Sequence, residues 1–573
     1  MKNFALKSFM VVTLALLCIV QLGMPQRVMA SAPPVALYLN GVIGNDNNDG
    51  STKETAVKTF AKAKELAAAI PGKSEILVTG TVSVEGDISL EGTNSMLKRE
   101  GTFNGYLLRV ASGKTATLSN ITVDGNEGNK TDVGGVPQAT SSLITCSGTL
   151  NITDGAVLQN NKIAHATKRR SGGAVYCYGG TVNMTGGVMQ SNTATFGGGV
   201  YIKNNGKFNM SGGSIEKNAA ISGPTPWNDA AAGGGVCIID GGTFDLSGNA
   251  LIQNNSSEEV GGGISIGNME VSFGNNELHM TGGTIDGNTS GATGGGVFVQ
   301  AAYGNRKSQA TITAGNITNN KMLGTGVTNY AFGGGGIYVN GYDYWGFSNG
   351  QLFLENVVIT DNEAKFQGGG YAGCPISNTK IYLKDGGALY RNNANGGKEV
   401  FIYSDTRSVW GAHAGNPEYF VSQTMLGDVP YNWKYDDGSE VPLNKLQGIL
   451  MGDGRSLNLN TDEVGNANTD SLAKVFISGN YSATRGGGIG TNGDVTIGRV
   501  NPDDIAISVT KTWNHGVNID IPKNIKVELY RKTAVGTDEY VGHFLIEPDK
   551  YGLWKLTFEG LPKTDKNGNE YQY

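Results

Sequence analysis

A lysine on the core-facing side of a strand invites chemistry, and Lys511 in Val509-Thr510-Lys511-Thr512-Trp513 has that position. Ile505, Ile507, Val509 and Trp513 share its parity, and alternation with period two puts one parity on one face. Burial disfavours an ammonium and favours the neutral amine, which is a nucleophile. The plainer reading is a lysine stem on apolar surface whose charge reaches water at the strand end.

Two groups of aromatic residues have the composition of a ligand platform. Tyr342, Tyr344 and Trp345 crowd one short loop, and Trp410, Trp433 and Tyr435 fall in the stretch 398–472, where the sequence loses its period. Aromatic faces stack on sugar rings or anchor a protein partner. The same residues serve equally as the core of a small inserted unit. Asp46 and Asp49, in Gly44-Asn45-Asp46-Asn47-Asn48-Asp49-Gly50, offer oxygens of the kind that hold Ca²⁺. No carboxylate closes that loop at calcium-site spacing, so a hydrogen-bonded turn is expected and Ca²⁺ is the one cofactor candidate. His165, His279 and His413 are isolated.

The elements that must position these residues are repeats. A glycine triplet recurs at Gly197, Gly233, Gly261, Gly294, Gly334, Gly368 and Gly486, with a variant at Ser171-Gly172-Gly173. Between triplets the apolar residues alternate: Val200 and Ile202, Phe208 and Met210, Ile215; then Val236 and Ile238, Phe244 and Leu246, Ile252. Three short strands per unit, stacked on the equivalent strands of the next, make a parallel β-helix, right-handed as parallel crossovers are. Asn192, Asn218, Asn255, Asn288, Asn320 and Asn362 follow the third strand of their units, where a left-handed or tightly turned backbone is needed. Stacked, they predict an amide ladder. The triplets lead into strands, so they are not phosphate loops, which need a helix N-terminus.

Composition narrows the function. Lys and Arg number 44 against 50 Asp and Glu, a formal charge of −6, which argues against an electrostatic nucleic-acid binder. Residues 1–30 have Lys2 and Lys7, an apolar run from Phe9 to Leu22 and a small-residue site ending at Ala30, the pattern of an export signal. Cys146, Cys177, Cys237 and Cys374 lack the spacing of a zinc site, and buried thiols are expected. Cys146 and Cys177 fall in adjoining coils, where one bridge is compatible with the fold.

After the signal, Gly44 to Thr52 followed by an amphipathic stretch from Ala56 to Leu66 resembles the entry turn and capping helix of extracellular β-helix proteins of the pectate-lyase-like superfamily. The triplet and Ile-x-x-Asn repeats resemble bacterial surface passenger and adhesin β-helices, including the polymorphic outer-membrane protein repeats. Hydrolases resembling polygalacturonases carry Asn-Thr-Asp, paired aspartates, Gly-His-Gly and Arg-Ile-Lys; this sequence has only Asn460-Thr461-Asp462, Asn468-Thr469-Asp470 and Asp436-Asp437, so glycoside chemistry lacks specific support. Glycine thins out from about Asn501. Val509 to Trp513, Ile525 to Tyr530, Trp554 to Phe558, Leu561-Pro562-Lys563 and Asn567 to Tyr573 resemble the B-type repeat domain of collagen-adhesin-like Gram-positive surface proteins. That resemblance implies that Lys511 attacks an Asn or Asp on the last strand, aided by a buried acid, and forms an isopeptide crosslink. The sequence reaches Tyr573 without that acid, that Asn or a Leu-Pro-x-Thr-Gly sorting sequence, and a chain cut short is the expectation.

The fold expected is all-β: a right-handed parallel β-helix with an N-terminal capping helix, then a partial Ig-like β-sandwich. The divisions are 1–30 signal, 31–75 cap, 76–397 β-helix, 398–472 irregular insertion, 473–500 final coil and 501–573 B-type domain. The expected function is that of a Gram-positive surface adhesin, with a carbohydrate-active enzyme or a structural surface-layer component as alternatives. Expected partners are a host surface protein or glycan, and the cell wall if a full-length chain carries a sorting signal. Nucleic acid is excluded, and the membrane enters only through export.

Overall fold

A computed structural model describes residues 33–573 except 128–140, 164–170, 225–228, 270–273, 327, 329–331, 343–345, 375, 383–384, 404–417, 449–455, 500–504, 515–519, 549–551 and 566. The chain is all-β, 47% strand and 4% helix. Among the described residues, parallel strands build sheets of 24, 13 and 7 strands, beside smaller ones.

One unit shows how the sequence does this. Val200–Lys203, Lys207–Met210 and Ser214–Glu216 pair in parallel register with Val236–Ile238, Thr243–Leu246 and Leu251–Gln253 of the next unit. The alternating residues Val200, Ile202, Phe208, Met210 and Ile215 all point inward and are buried, as are their partners Val236, Ile238, Phe244, Leu246 and Ile252. Phe208 stacks on Phe244 with ring centroids 4.8 Å apart, which is the spacing of paired strands. Each such side chain contributes about 1.5–3 kcal/mol by leaving water. Among the described residues a fourth strand of two residues, not expected from the sequence, follows in seven of the turns; Ala219–Ala220 pairs with Ser256–Ser257.

The glycine triplet has three separate causes. Gly261 turns in the left-handed region at φ +63°, which glycine adopts without steric penalty. A Cβ on Gly262 would stand 2.3 Å from the Thr289 carbonyl and 2.4 Å from the Gly295 carbonyl, both backbone atoms of the next unit. One on Gly263 would stand 3.1 Å from Asn288 Nδ2, crowding the buried amide row.

That row is the predicted ladder, and it is longer than expected. Asn255 donates from its backbone N and from Nδ2 to Asn288 Oδ1 at 2.9 and 3.0 Å, and Nδ2 also donates to the Ile215 carbonyl. The same link runs Asn192, Asn218, Asn255, Asn288, Asn320, Asn480, Asn362, Asn392, and Asn161 joins it below through its backbone N alone, which donates to Asn192 Oδ1. The left-handed residue is not the ladder asparagine, as the sequence suggested, but the one before it: Ser191, Lys217, Asn254, Asn319 and Asp361 have φ between +54° and +56°. The turn thus swings the asparagine inward, where its amide replaces backbone partners that the corner takes away.

Asn480 stands out of sequence order in the ladder. The repeat that comes last in the chain, 475–497, is not last in the stack. Val475–Ser478 pairs with residues 315–318 on one side and Val357–Thr360 on the other. Tyr481–Ser482 lies between Lys321–Met322 and Glu363–Ala364. Ile489–Thr491 lies between Ile337–Val339 and Tyr371–Gly373, and Asp494–Ile497 between Gln351–Leu354 and Thr379–Ile381. The chain therefore climbs one strand spacing in the corner Glu355-Asn356, and the intercalated turn fills the level it skips. Arg499, just past that turn, bridges Asp385 at 2.6 Å and Glu355 at 3.3 Å across the corner.

Both ends of the stack are covered. Val35–Asn40 pairs with Ser74–Gly80, and the helix Phe60–Ala68 buries Phe60, Ala63 and Ala67. At the other end, within 398–472, pairing turns antiparallel: Val400–Ile402 meets Leu457–Leu459, and Tyr419–Val421 meets Gln447–Gly448. Reversed strands and a hairpin of Thr424–Met425 with Val429–Pro430 shield edges that would otherwise recruit other chains.

Beyond the stack, Ile505–Lys511 pairs antiparallel with Trp554–Leu561, and Ile525–Thr533 with Glu539–Ile546. Trp554, Leu556, Phe558, Leu529 and Ile546 are buried. His543 Nε2 lies 3.0 Å from Glu440 Oε1, joining this part to the antiparallel cover. No helix among the described residues is long and apolar enough to cross a membrane.

Candidate functional site

The loop with Tyr342 is braced by a second projection. Ala302–Tyr303 and Phe347–Ser348 form a two-stranded antiparallel ribbon, in which Tyr303 meets Phe347 edge-on at 5.6 Å and Tyr342 leans on Phe347 at 5.3 Å. Tyr303 is 47% exposed and Tyr342 37%. Ser348 Oγ donates to the Gly304 carbonyl at 2.6 Å, fixing the ribbon. Tyr344 and Trp345 lie outside the described residues, as do Trp410, His165, His413 and the stretch 1–30 expected to be an export signal.

The other aromatic candidates divide differently. Trp433 is 3% exposed, its Nε1 donates to the Ser422 carbonyl at 3.1 Å, and Tyr431 meets it edge-on at 5.2 Å. With Val441, Leu443 and Leu446 it forms the core of the antiparallel cover, so it has no face left for a ligand. Tyr435 is half-buried and packs on the same core.

Asp46 uses its carboxylate on its own backbone. Oδ1 accepts from the Lys58 and Thr59 amides at 2.8 and 2.9 Å, and Oδ2 from the Thr59 hydroxyl at 2.9 Å. Desolvation pushes its pKa up, but these hydrogen bonds together hold it below the usual range. Asp49 accepts from the Ser51 amide and hydroxyl. Both secure the entry to the helix Phe60–Ala68, and no cluster of three potential metal ligands is found among the described residues.

Lys511 takes the plainer of the two placements open to it. It shares parity with the half-buried Ile505, Ile507 and Val509, yet is itself exposed. Its ammonium lies 4.6 Å above the Trp513 ring, which packs edge-on against Trp554 at 5.6 Å. Lys511 is the last residue of its strand, so its stem covers apolar surface while the charge stays in water. Cys146, Cys177, Cys237 and Cys374 form no disulfide. Cys146 and Cys177 are register partners on adjacent strands, each thiol donating to a backbone carbonyl, of Gly148 at 3.3 Å and Gly180 at 3.2 Å.

Two charged residues that the sequence reading did not single out close the amide ladder. At its start, buried Arg99 donates from Nη2 to Asn161 Oδ1 at 3.1 Å, to the Ser141 and Ser142 carbonyls, and from Nη1 to the Gly105 carbonyl. At its end, Glu399 accepts the Asn392 amide N at 3.3 Å and Nδ2 at 2.6 Å. Each amide points its oxygen toward Arg99, and from Asn192 on the backbone N–H and one of the two Nδ2 hydrogens point toward Glu399, so the row carries aligned carbonyl dipoles with a cation at the negative end and a carboxylate at the positive end. A helix dipole is stabilised by end charges for the same reason. Burial pushes Arg99 down to about 9, which leaves it cationic at neutral pH, and pushes Glu399 up to about 7 against the pull of Asn392. The parity argument applied to Lys511 would have found Arg99, which follows Leu97 at the same inward spacing.

No curated protein matches the chain. Domains of the type found at its C-terminal end occur in secreted or cell-surface proteins of Gram-positive bacteria, and residues 507–573 match the family model of the Cna protein B-type domain.

Proposed function

We propose that this chain is a Gram-positive surface adhesin in which the stacked turns form a right-handed parallel β-helix, similar to the pectate-lyase-like superfamily, mounted on a B-type stalk domain. The match over 507–573 carries the reading, because such domains are typical of adhesin-like surface proteins. The reading takes 1–30 as an export signal, 31–75 as the entry cap, 76–397 and 473–500 as turns, 398–472 as an insertion that closes the end, and 501–573 as the stalk. Given an Asn or Asp partner on a facing strand, Lys511 supplies the amine of an isopeptide crosslink.

The binding face in this reading is the ribbon with Tyr303, Tyr342 and Phe347, since two half-exposed tyrosines fixed by a third ring are pre-organised for a sugar ring. Loops on a rigid scaffold are where binding residues tend to lie. Binding to a panel of host glycans is the test. Replacing Tyr303 and Tyr342 together by Ala is expected to weaken the best ligand about tenfold or more, equivalent to losing about 1.4 kcal/mol. Unchanged binding would remove this face, and a polysaccharide that loses mass on incubation would favour an enzyme instead.

A further inference from the structure

The intercalated turn 475–497 has neighbours that fit each other. Residues 315–318 and Val357–Thr360 both register on Val475–Ser478, with Ser478 paired to Thr318 on one side and Thr360 on the other. The same holds for Ile337–Val339 and Tyr371–Gly373 about Ile489–Thr491. In the ladder, Asn320 donates to Asn480 and Asn480 to Asn362, with the geometry by which Asn362 donates directly to Asn392. Taking out the turn would therefore leave two matching edges and two matching rungs, offset by one strand spacing.

What keeps the turn in place is its own burial. Val475, Ile477, Ile489, Val495 and Ile497 point inward and are fully or almost fully buried. On closing, its flanking turns would bury their inward residues against each other, at the cost of the hydrogen bonds that Asn349 and Asn378 donate to Asp494 and Ser377 to the Thr491 carbonyl. The climb through Glu355-Asn356 would then fall back to the level path taken by the continuous strand Ser308–Thr318 at the same corner. The C-terminal strands begin at Ile505, shortly after Ile497, so the chain passes from this turn into the B-type domain, which also meets the antiparallel cover at His543 and Glu440.

We propose that residues 475–497 form a separable turn: it withdraws as a unit, and the flanking turns close on each other with Asn320 paired to Asn362. This goes beyond the adhesin reading and does not depend on it.

Cysteine pairs in the full chain test it. Across one strand spacing of ~4.8 Å a disulfide can form, and across two, ~9.6 Å, it cannot. Under oxidised glutathione, which takes up the two electrons and two protons released by the thiols, Thr318→Cys with Ser478→Cys is expected to crosslink and Thr318→Cys with Thr360→Cys is not. Adding Ile477→Asp and Ile489→Asp, which put carboxylates on the turn's inward face, should reverse both results while circular dichroism keeps its β signal. The proposal is overturned if the 318–360 disulfide stays absent in the Asp-bearing chain, whether the chain keeps its fold with the gap open or unfolds. It is also overturned if the 318–478 disulfide still forms there as fast as in the parent.

Discussion

Asn288→Asp, which exchanges one NH2 group for an oxygen deep in the stack, is expected to destabilise the protein by about 4 kcal/mol or more at pH 7. Asn288 Nδ2 donates to Asn320 Oδ1 and to the Ile252 carbonyl, at 3.0 and 2.9 Å. An aspartate would turn a carboxylate oxygen toward both acceptors, in a position with no exposure. It would still accept from Asn255, so the loss isolates the donor side of one rung. Because the buried acid would hold its proton more tightly than the unfolded chain does, the deficit should shrink as pH falls. Urea denaturation of the variant at pH 7 and pH 4 measures both effects. A stability within about 1 kcal/mol of the parent at pH 7 would mean that the ladder accompanies the fold without holding it.

The second large effect comes from Glu399. Its folded pKa is raised by burial to about 7 from an ordinary 4.5, so the folded protein holds a proton that the unfolded chain releases between those values. The stability linked to this group is fully present below about pH 4.5 and lost as pH rises through about 7, a span of about 3 kcal/mol. Glu399→Gln keeps an acceptor for Asn392 and cannot ionise. The variant is expected to match the parent near pH 4 and to exceed it by up to about 3 kcal/mol above pH 7. Denaturation midpoints of the two proteins between pH 4 and 8 decide it, and parallel curves would show that the ladder's positive end compensates the charge in full.

The repeat was legible because its causes are local. Period-two alternation in Phe208-Asn209-Met210 and a triplet such as Gly261-Gly262-Gly263 each encode a strand or a turn without help from distant residues, and the parallel pairing of neighbours follows. The ladder asparagines were visible for the same reason, although the left-handed residue was assigned one position too late: both members of a pair such as Asn254-Asn255 tolerate that conformation, and only packing decides which turns inward. Order in the stack was not legible. Val475-Phe476-Ile477 carries the same pattern as Val357-Val358-Ile359, so sequence alone cannot tell a last turn from an inserted one.

Side-chain fate was legible only where burial is enforced from both sides of a strand. Trp433 and Tyr342 look alike in sequence, yet one is core and the other surface, because reversed strands fold the first under themselves. Lys511 shared the right parity and still reached water, since parity fixes a direction at the Cα and four methylenes then choose the end point. Arg99 shows the opposite outcome: the two amino groups of its planar fork reach three backbone carbonyls and the Asn161 amide oxygen and hold it inside, although its buried Nε has no partner.

The ladder also bears on how the molecule ages. An asparagine side chain can cyclise onto the following backbone nitrogen and open to aspartate, a reaction easiest before glycine, where no side chain obstructs the ring. Glycine follows Asn40, Asn104, Asn205, Asn340, Asn349, Asn395, Asn492 and Asn567 in this sequence, but none of the nine ladder positions. Their successors are Lys162, Thr193, Ala219, Ser256, Thr289, Lys321, Tyr481, Glu363 and Asn393. From Asn192 on, the amide following each rung is also hydrogen-bonded to the carbonyl of the rung below, as where Thr289 N donates to the Asn255 carbonyl at 2.9 Å. The amides whose conversion would put a charge in the core are those whose neighbours and backbone resist it, so chemical wear should begin at the loops and leave the centre of the stack intact for far longer.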